Sequence, residues 1–292
     1  MEEIHYFRKN PQGKNRDVKK ISLLSFDLDG TLLNGQQDIS TRTLQAVQNA
    51  LQKGVKVTIS SGRVPVMMRL YAELIDLQGP IIFANGAFVQ TLDKHILFRK
   101  KLTDASINAV SLFCRENELH YGLLCENTIY FTEGNPRAKY FDAYAALCRK
   151  YNFLVPQRKD ITLNMDGYDG EEIYKLLVCS SGPDSLSRLK HMLITNNTFS
   201  YTLSSRGLFD ITAKGTDKGA GIALVADYYG IPLSEVCAFG DYENDIQIFK
   251  RVGISVAMGN AIPVIQKIAD YHTAGNDNDG IAHALESLEK YY

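Results

Sequence analysis

Acidic residues directly follow two short apolar runs of the sequence. Asp27 and Asp29 come after the run 21–26, and Asp241 comes after the run 236–239. Other polar residues stand at similar places or a few positions beyond them, namely Ser60, Ser61, Asn85, Asn244 and Asp245. Ligands of an open parallel sheet bind beyond the carboxyl ends of its strands, so we expect these side chains to share one crevice.

The side chains expected in this crevice suit a cation and a phosphoryl group. Carboxylates that crowd together repel one another unless a cation lies among them. A small number of oxygen ligands suits Mg²⁺, which keeps some waters and takes phosphate as a further ligand. Hydroxyl, amide, lysine and backbone N–H groups bind phosphoryl oxygens. Gly30 lets the loop after Asp29 turn sharply and present such N–H groups.

Alternating strands and helices must position these residues. The runs 21–26, 55–59 and 80–84 are short and apolar, as buried parallel strands are. Ser40 is a favourable N-cap for the helix between the first two strands, and Gly54 is favourable just after the C-terminal end of that helix. This order predicts an α/β fold with a Rossmann-like, parallel-sheet core.

The middle of the chain has a different pattern. It contains hairpin-like pairs, 88–91 with 96–99 and 121–125 with 129–132, among helical stretches. We therefore predict an inserted α+β cap domain over residues 86–213, with the core formed by residues 21–85 and 214–292. Residues 1–20 are polar and predict a loose N-terminal tail.

Composition excludes several classes of protein. The chain has 292 residues and a net charge of −1, so no overall field attracts it to nucleic acid or to an anionic membrane. No apolar run approaches the roughly 20 residues that a membrane helix needs. The five cysteines are widely spaced, which is typical of reduced thiols. We expect a cytoplasmic protein with no nucleic-acid or membrane partner.

Four short motifs resemble those of the haloacid dehalogenase superfamily. They are, in order, FDLDGTLL at 26–33, SSGR at 60–63, Lys218-Gly219, and GDYEND at 240–245. The insertion begins at Asn85-Gly86-Ala87 and returns just before Lys218, which resembles the C2 (IIB-like) cap of the Cof-type phosphatases. The resemblance covers about residues 21–291.

The resemblance implies a phosphatase that hydrolyses small phosphomonoesters through an aspartyl-phosphate. Asp27 would be the nucleophile, and Asp29 would be the general acid and base. The carboxylates of Asp27 and Asp241 would hold Mg²⁺ together with the backbone carbonyl of Asp29. Asp245 would orient the metal site without binding the ion itself.

The resemblance also implies a set of residues around the phosphate. The candidates for binding substrate or phosphate are Ser61, Gly62, Arg63, Asn85, Lys218 and Asn244. Lys214 is a nearby rival for the lysine, but it lacks the Lys-Gly pair at a helix start. Asn276 and Asp277 are predicted to form a solvated turn.

Other functions stay open at this point. A phosphomutase or phosphotransferase of the same superfamily would share the aspartyl-phosphate chemistry, and a non-catalytic sensor could bind a phosphorylated ligand. A dehalogenase would need neither Asp29 nor a metal, so the presence of Asp29 argues against that activity. A cap that closes on hinges near Gly86 and residues 213–215 would admit a small phosphorylated metabolite more readily than a folded protein.

Overall fold

A computed structural model describes residues 7–13, 20–179, 182–205 and 207–292. Its strands are β1 (Arg8–Lys9), β2 (Leu23–Phe26), β3 (Lys56–Ile59), β4 (Ile81–Phe83), β5 (Phe88–Gln90), β6 (Ile96–Arg99), β7 (Tyr121–Cys125), β8 (Thr128–Thr132), β9 (Gln157–Ile161), β10 (Ile173–Cys179), β11 (Phe199–Ser205), β12 (Leu208–Ala213), β13 (Val236–Gly240), β14 (Ile254–Ala257) and β15 (Tyr271–His272). Its α-helices are α1 (Thr41–Gln52), α2 (Arg69–Ile75), α3 (Asp104–Glu116), α4 (Ala138–Lys150), α5 (Pro183–Asn196), α6 (Lys218–Tyr228), α7 (Ile246–Arg251), α8 (Pro263–Ile268) and α9 (Gly280–Leu288).

The core is a parallel sheet, as the sequence predicts. Its strands lie in the order β3-β2-β13-β14-β15-β1, and only β1 runs antiparallel to its neighbour. Phe26 at the end of β2 pairs with Phe239 in β13, and the backbone N–H of Asp27 donates to the Phe239 carbonyl at 3.0 Å. The carboxyl ends of β2 and β13 therefore lie side by side, and the acidic residues after them meet.

Local sequence sets the helices that flank this sheet. The Ser40 hydroxyl accepts a hydrogen bond from the backbone N–H of Thr43 at 3.1 Å, which caps α1 as predicted. Gly54 follows this helix with φ +87°, a conformation that glycine adopts without strain. The Asp217 carboxylate accepts from the Ala220 N–H at 2.7 Å, so α6 begins at Lys218. The Asp217 N-cap thereby places Lys218 at the first position of this helix.

The middle of the chain forms a second sheet, in the order β11-β12-β10-β7-β8-β9. Alternate residues of a strand face opposite sides, and one side of this sheet packs against α3 and α5 through an apolar cluster that includes Leu176 and Phe209. The opposite side carries Leu124, Phe131 and Leu177, which belong to the same apolar cluster as the core. This second side therefore faces the core sheet.

The hairpin of β5 and β6 belongs with the core rather than with the second sheet. β5 pairs antiparallel with β4, and Val89 packs in one cluster with Ile82 and Val225. The change of sheet therefore does not coincide with the predicted border at residue 86. We propose that the cap begins near residue 100 instead.

The predicted hinge at Gly86 lies against the residue that precedes Lys218. Gly86 has φ +88°, and a Cβ at this position would lie 2.2 Å from the Asp217 carbonyl oxygen.

No helix in the described ranges is long and apolar enough to cross a membrane. None of the five cysteines forms a disulfide in the described residues.

The prediction of a loose tail over residues 1–20 is wrong for the part that the structure describes. Arg8–Lys9 pairs with Tyr271–His272, and the ring of Phe7 stacks on Tyr271 with centroids 4.9 Å apart. Residues 1–6 and 14–19 lie outside the described residues. The described segment completes the edge of the core sheet.

Asn10 anchors this segment at the end of α8. Its buried side-chain amide donates to the carbonyl oxygens of Ala269 at 2.7 Å, Gln266 at 3.0 Å and Lys267 at 3.3 Å. The last carbonyls of a helix lack partners within the helix. Asn10 supplies donors to them from a distant part of the chain.

We predict that Asn10→Asp destabilises the protein more than Asn10→Ala does. Alanine removes the donors at a cost of about 1–3 kcal/mol in the free energy of unfolding. Aspartate also removes them and places a negative charge at the negative end of α8. Urea unfolding at neutral pH measures the difference. Wild-type stability in Asn10→Asp would show that the amide does not anchor the segment.

Candidate active site

A buried lysine lies between two carboxylates at the carboxyl ends of the core strands. Lys218 Nζ is 2.5 Å from Asp27 Oδ1 and 2.6 Å from Asp245 Oδ1, and the lysine side chain has no exposed surface. Burial by itself lowers the pKa of Lys218, but the charges of Asp245 and Asp27 outweigh it and raise this pKa. The lysine therefore remains an ammonium group.

Asp245 also shapes the loop that carries Asp241. Its Oδ2 accepts from the backbone N–H groups of Asp241 at 3.0 Å and Tyr242 at 3.2 Å. A Cβ on Gly240 would lie 2.5 Å from Asp245 Cγ, so only glycine fits there. Protein donors thus contact both Asp245 oxygens.

Asp241 is held by the first loop after β2. The Thr31 hydroxyl donates to Asp241 Oδ1 at 3.0 Å. Gly30 has φ +80°, and a Cβ there would lie 2.5 Å from Asp241 Oδ2. The loop of residues 27–31 therefore closes tightly over the Asp241 carboxylate.

Carboxylate oxygens of Asp27, Asp241 and Asp245 lie within 4.8 Å of one another. Burial raises the pKa of Asp241 to about 7, and the Asp245 charge adds to this shift. Burial also raises the pKa of Asp27. The Lys218 charge lowers this pKa, but the charges of Asp245 and Asp241 raise it, and the pKa remains well above its ordinary value. Three acids thus outnumber one ammonium. An all-oxygen donor set with excess negative charge fits Mg²⁺.

Asp29 points away from this cluster toward Arg63. The guanidinium binds the carboxylate through two contacts, Nε to Oδ2 at 2.8 Å and Nη2 to Oδ1 at 2.5 Å. Partial removal from water raises the pKa of Asp29, but the charge and hydrogen bonds of Arg63, together with the charges of Arg137 and Lys175, outweigh this effect and hold the pKa below its ordinary value. Gln37 accepts a further hydrogen bond from Arg63 Nη2. The Arg63 guanidinium also lies over the ring of Tyr71, 5.5 Å from its centroid.

The remaining predicted residues form a hydrogen-bonded group beside Arg63. Ser61 Oγ accepts from the Arg63 N–H at 3.1 Å. Asn244 Nδ2 donates to Asn85 Oδ1 at 3.1 Å, and Asn85 Nδ2 donates to Asp210 Oδ2 at 2.9 Å. A Cβ on Gly62 would lie 2.8 Å from Asp210 Oδ2. The structure therefore gathers every predicted site residue at one place, while Lys214 is exposed and contacts Asn197.

A cavity of about 280 Å³ lies between the site and the cap. Its cap lining, which sequence patterns did not reveal, includes Leu124, Ile129, Phe131, Arg137, Tyr140, Phe141, Lys175, Leu177, Ser204, Leu208 and Asp210. The charges of Arg137 and Lys175 contribute to lowering the pKa of Asp29. The cap therefore acts electrostatically on the site that it covers.

The loop near residue 276 supports the first loop from outside. Asn276 Nδ2 donates to the Leu33 carbonyl at 2.8 Å, and its backbone N–H donates to Asn260 Oδ1 at 3.0 Å. Asn260 Nδ2 in turn donates to the Gly30 carbonyl at 2.8 Å. The Asp277 carboxylate accepts from the Gly35 N–H at 2.7 Å. These residues brace the loop around Asp29, which the prediction of a merely solvated turn missed.

The family model for haloacid dehalogenase-like hydrolases matches residues 24–285. The chain belongs to this family. The resemblance of the four motifs is thus confirmed, and so is the expectation that the protein is a hydrolase.

Two comparisons with named phosphatases extend this result. The chain is 28% identical over 281 residues to a 5-amino-6-(5-phospho-D-ribitylamino)uracil phosphatase of Bacillus subtilis, covering 91% of this chain and 97% of the relative. It is 26% identical, with a TM-score of 0.77, to the structure of a subclass IIB sugar phosphatase, covering 92% and 99% of the two chains. The chain is a phosphatase of the haloacid dehalogenase superfamily.

A third comparison concerns the fold alone. A haloacid dehalogenase-like hydrolase of B. subtilis superposes with a TM-score of 0.80 at 23% identity, over 92% of this chain and all of the other. The α/β core with an inserted cap is therefore the fold of the superfamily, as predicted.

We predict that Lys218→Met strongly destabilises the protein when a chelator is present. Removing one partner of a buried ion pair costs about 3–5 kcal/mol, because the other charge stays buried. Added Mg²⁺ should restore part of the loss in Tm, since it would compensate Asp27 and Asp241. Lys214→Met is the matched control, because that lysine is exposed. Equal Tm values for the two variants in chelator would contradict the central role of Lys218.

Proposed function

We propose that this phosphatase hydrolyses small phosphomonoesters with Mg²⁺, through an aspartyl-phosphate on Asp27. The observation that supports it best is the group of Asp27, Asp241 and Asp245 around Lys218, beneath a cavity of small-molecule size. Asp27 and Asp241 would hold the ion together with the Asp29 backbone carbonyl. The bound ion would neutralise phosphoryl charge and align the ester with its nucleophile.

The chain's own residues would carry out two successive displacements. An Asp27 carboxylate oxygen forms a bond to phosphorus while the ester P–O bond breaks, and Asp29 protonates the departing alkoxide. A water then attacks the phosphorus and gives a proton to the Asp29 carboxylate, which releases phosphate and regenerates Asp27. Lys218, Ser61 and Asn244 would bind the phosphoryl oxygens during both steps.

Arg63 affects the general-acid and general-base roles of Asp29 in opposite ways. The bidentate contact keeps Asp29 ionised, which suits the base that accepts a proton from water. The acid duty requires Asp29 to turn from Arg63 toward the ester oxygen and to carry a proton. Arg63 is thus proposed to position Asp29 between turnovers rather than to bind phosphate.

The substrate is proposed to be a small phosphorylated metabolite in the cytoplasm. The cavity volume of about 280 Å³ is at the low end of ligand pockets. The relative from B. subtilis is named for 5-amino-6-(5-phospho-D-ribitylamino)uracil. That ester is the first physiological candidate to test, beside sugar phosphates and other cofactor or nucleotide phosphates.

We predict that the leaving group separates the roles of the two aspartates. Asp27→Asn should abolish turnover of every ester, because an amide is a poor nucleophile. Asp29→Asn should retain more activity on 4-nitrophenyl phosphate than on alkyl phosphates, since nitrophenolate leaves without a proton. Steady-state kcat/KM values for both ester types test this. Equal losses on both types in Asp29→Asn would remove its assignment as general acid.

We predict that Asp241→Ala raises the Mg²⁺ concentration needed for half-maximal activity, by about tenfold or more, because few anionic ligands hold the ion. Glu243→Ala is the matched control, since this carboxylate is exposed on the same loop. Excess chelator should stop turnover of the wild type, and Mg²⁺ should restore it. Full activity in chelator would disprove the metal requirement.

A further inference from the structure

Asp210 is a buried carboxylate of the cap with one oxygen unused. Its side chain is 1% exposed, and its Oδ2 lies 3.0 Å from Lys175 Nζ and accepts from Asn85 Nδ2 at 2.9 Å. Its Oδ1 has no hydrogen-bond partner among the described residues. A buried acceptor without a donor is costly, and native proteins rarely leave one unpaired. Asp210 lines the cavity over the site, so a ligand in that cavity can supply the donor.

The wall around Asp210 divides into a polar and an apolar half. Asp210 pairs with Thr202 on one side and with Leu177 on the other, so these three side chains form one row across the sheet. Beyond Leu177 the wall is apolar, with Leu124 and Phe131. On the Thr202 side, Ser204 Oγ is a second buried oxygen without a described partner, and it lines the same cavity.

The polar half adjoins the place expected for phosphate. Asn85 joins Asp210 to Asn244 through two hydrogen bonds, and Asn244 is the residue proposed to bind phosphoryl oxygen. Asp210 also lies directly over Gly62, next to Ser61. A group that reaches Asp210 Oδ1 would therefore belong to the part of the leaving group near the ester oxygen.

We infer that Asp210 and Lys175 bind a hydroxyl group of the substrate close to its phosphate ester, so that the enzyme selects phosphorylated polyols. The hydroxyl hydrogen would be donated to Asp210 Oδ1, and an ammonium N–H of Lys175 would be donated to the hydroxyl oxygen. An ester without this hydroxyl would leave the buried acceptor unpaired, which a binding site discriminates against strongly. This inference rests on the proposed phosphatase function and adds the leaving-group chemistry to it.

A pair of esters that differ only in hydroxyl groups tests the inference. D-ribitol 5-phosphate and 1-pentyl phosphate have carbon chains of equal length, and both leave as poorly acidic alcohols. Wild-type enzyme with Mg²⁺ should show a kcat/KM at least about tenfold higher for ribitol phosphate, mostly through KM. Asp210→Asn keeps an oxygen for Asn85 and Lys175 but replaces the unpaired acceptor with an NH₂ donor. It should lower this preference by about tenfold or more.

A second variant guards against misfolding, and a third serves as control. Lys175→Met combined with Asp210→Leu replaces the buried pair by apolar side chains of similar size, which proteins often tolerate. It should favour pentyl phosphate over ribitol phosphate. Asp142→Asn makes the same chemical change in an exposed cap ion pair with Arg158, so it should retain the wild-type preference.

The outcomes separate this inference from the proposed function. If the wild type hydrolyses neither ester nor 4-nitrophenyl phosphate, the phosphatase proposal fails and the role of Asp210 fails with it. If the wild type hydrolyses both alkyl esters equally well, only the role of Asp210 is overturned. An unchanged preference in folded Asp210→Asn, or in the folded double variant, overturns it as well.

Discussion

The buried ammonium of Lys218 is the interaction on which the rest of the site depends. It joins Asp27 at the end of β2 to Asp245 beyond β13, and it projects from the first residue of α6. Three segments distant in sequence thus meet at one cation. Because the buried carboxylates would repel one another without it, the loops that carry them can approach only when α6 begins at this position. The chain returns from the cap just before Lys218, so the same interaction also fixes where the cap re-enters the core.

Glycines make this density of charge sterically possible. Gly240 leaves room for the Asp245 carboxyl group, and Gly30 leaves room for Asp241. A methyl group at either position would push a carboxylate out of the cluster. The site therefore combines a charge excess, which favours a divalent cation, with backbone that cannot relax away from it. Protein donors occupy both oxygens of Asp245, so the proposed metal ligands are the carboxylates that face the cavity.

Sequence patterns predicted the core sheet and the place where its polar strand-end residues meet, because both follow from local rules. Short apolar runs, helix caps such as Ser40 and the strand-end position of Asp27 needed no knowledge of distant pairing. The structure differs from the sequence-based expectation where strand pairing decides the outcome. The hairpin of β5 and β6 has a pattern that suits either sheet, and only its pairing with β4 assigns it to the core. Arg8–Lys9 is polar and short, so its sequence pattern did not predict a strand.

The sequence indicates that two charged residues of the cap, Lys175 and Asp210, need partners, but it does not identify those partners. Lys175 and Asp210 are the charged residues of the apolar strands β10 and β12, and a charge within such a run must find a partner when it is buried. Opposite charges on two strands suggest that the partners are each other, but the register that joins them depends on the whole sheet. The pair satisfies only one oxygen of Asp210, and the other has no hydrogen-bond partner among the described residues, although Asp210 lines the cavity above the proposed phosphate site. A pair kept only for stability could be replaced by apolar side chains. An acceptor left unpaired beside Asn85 instead favours a role in recognising the ligand.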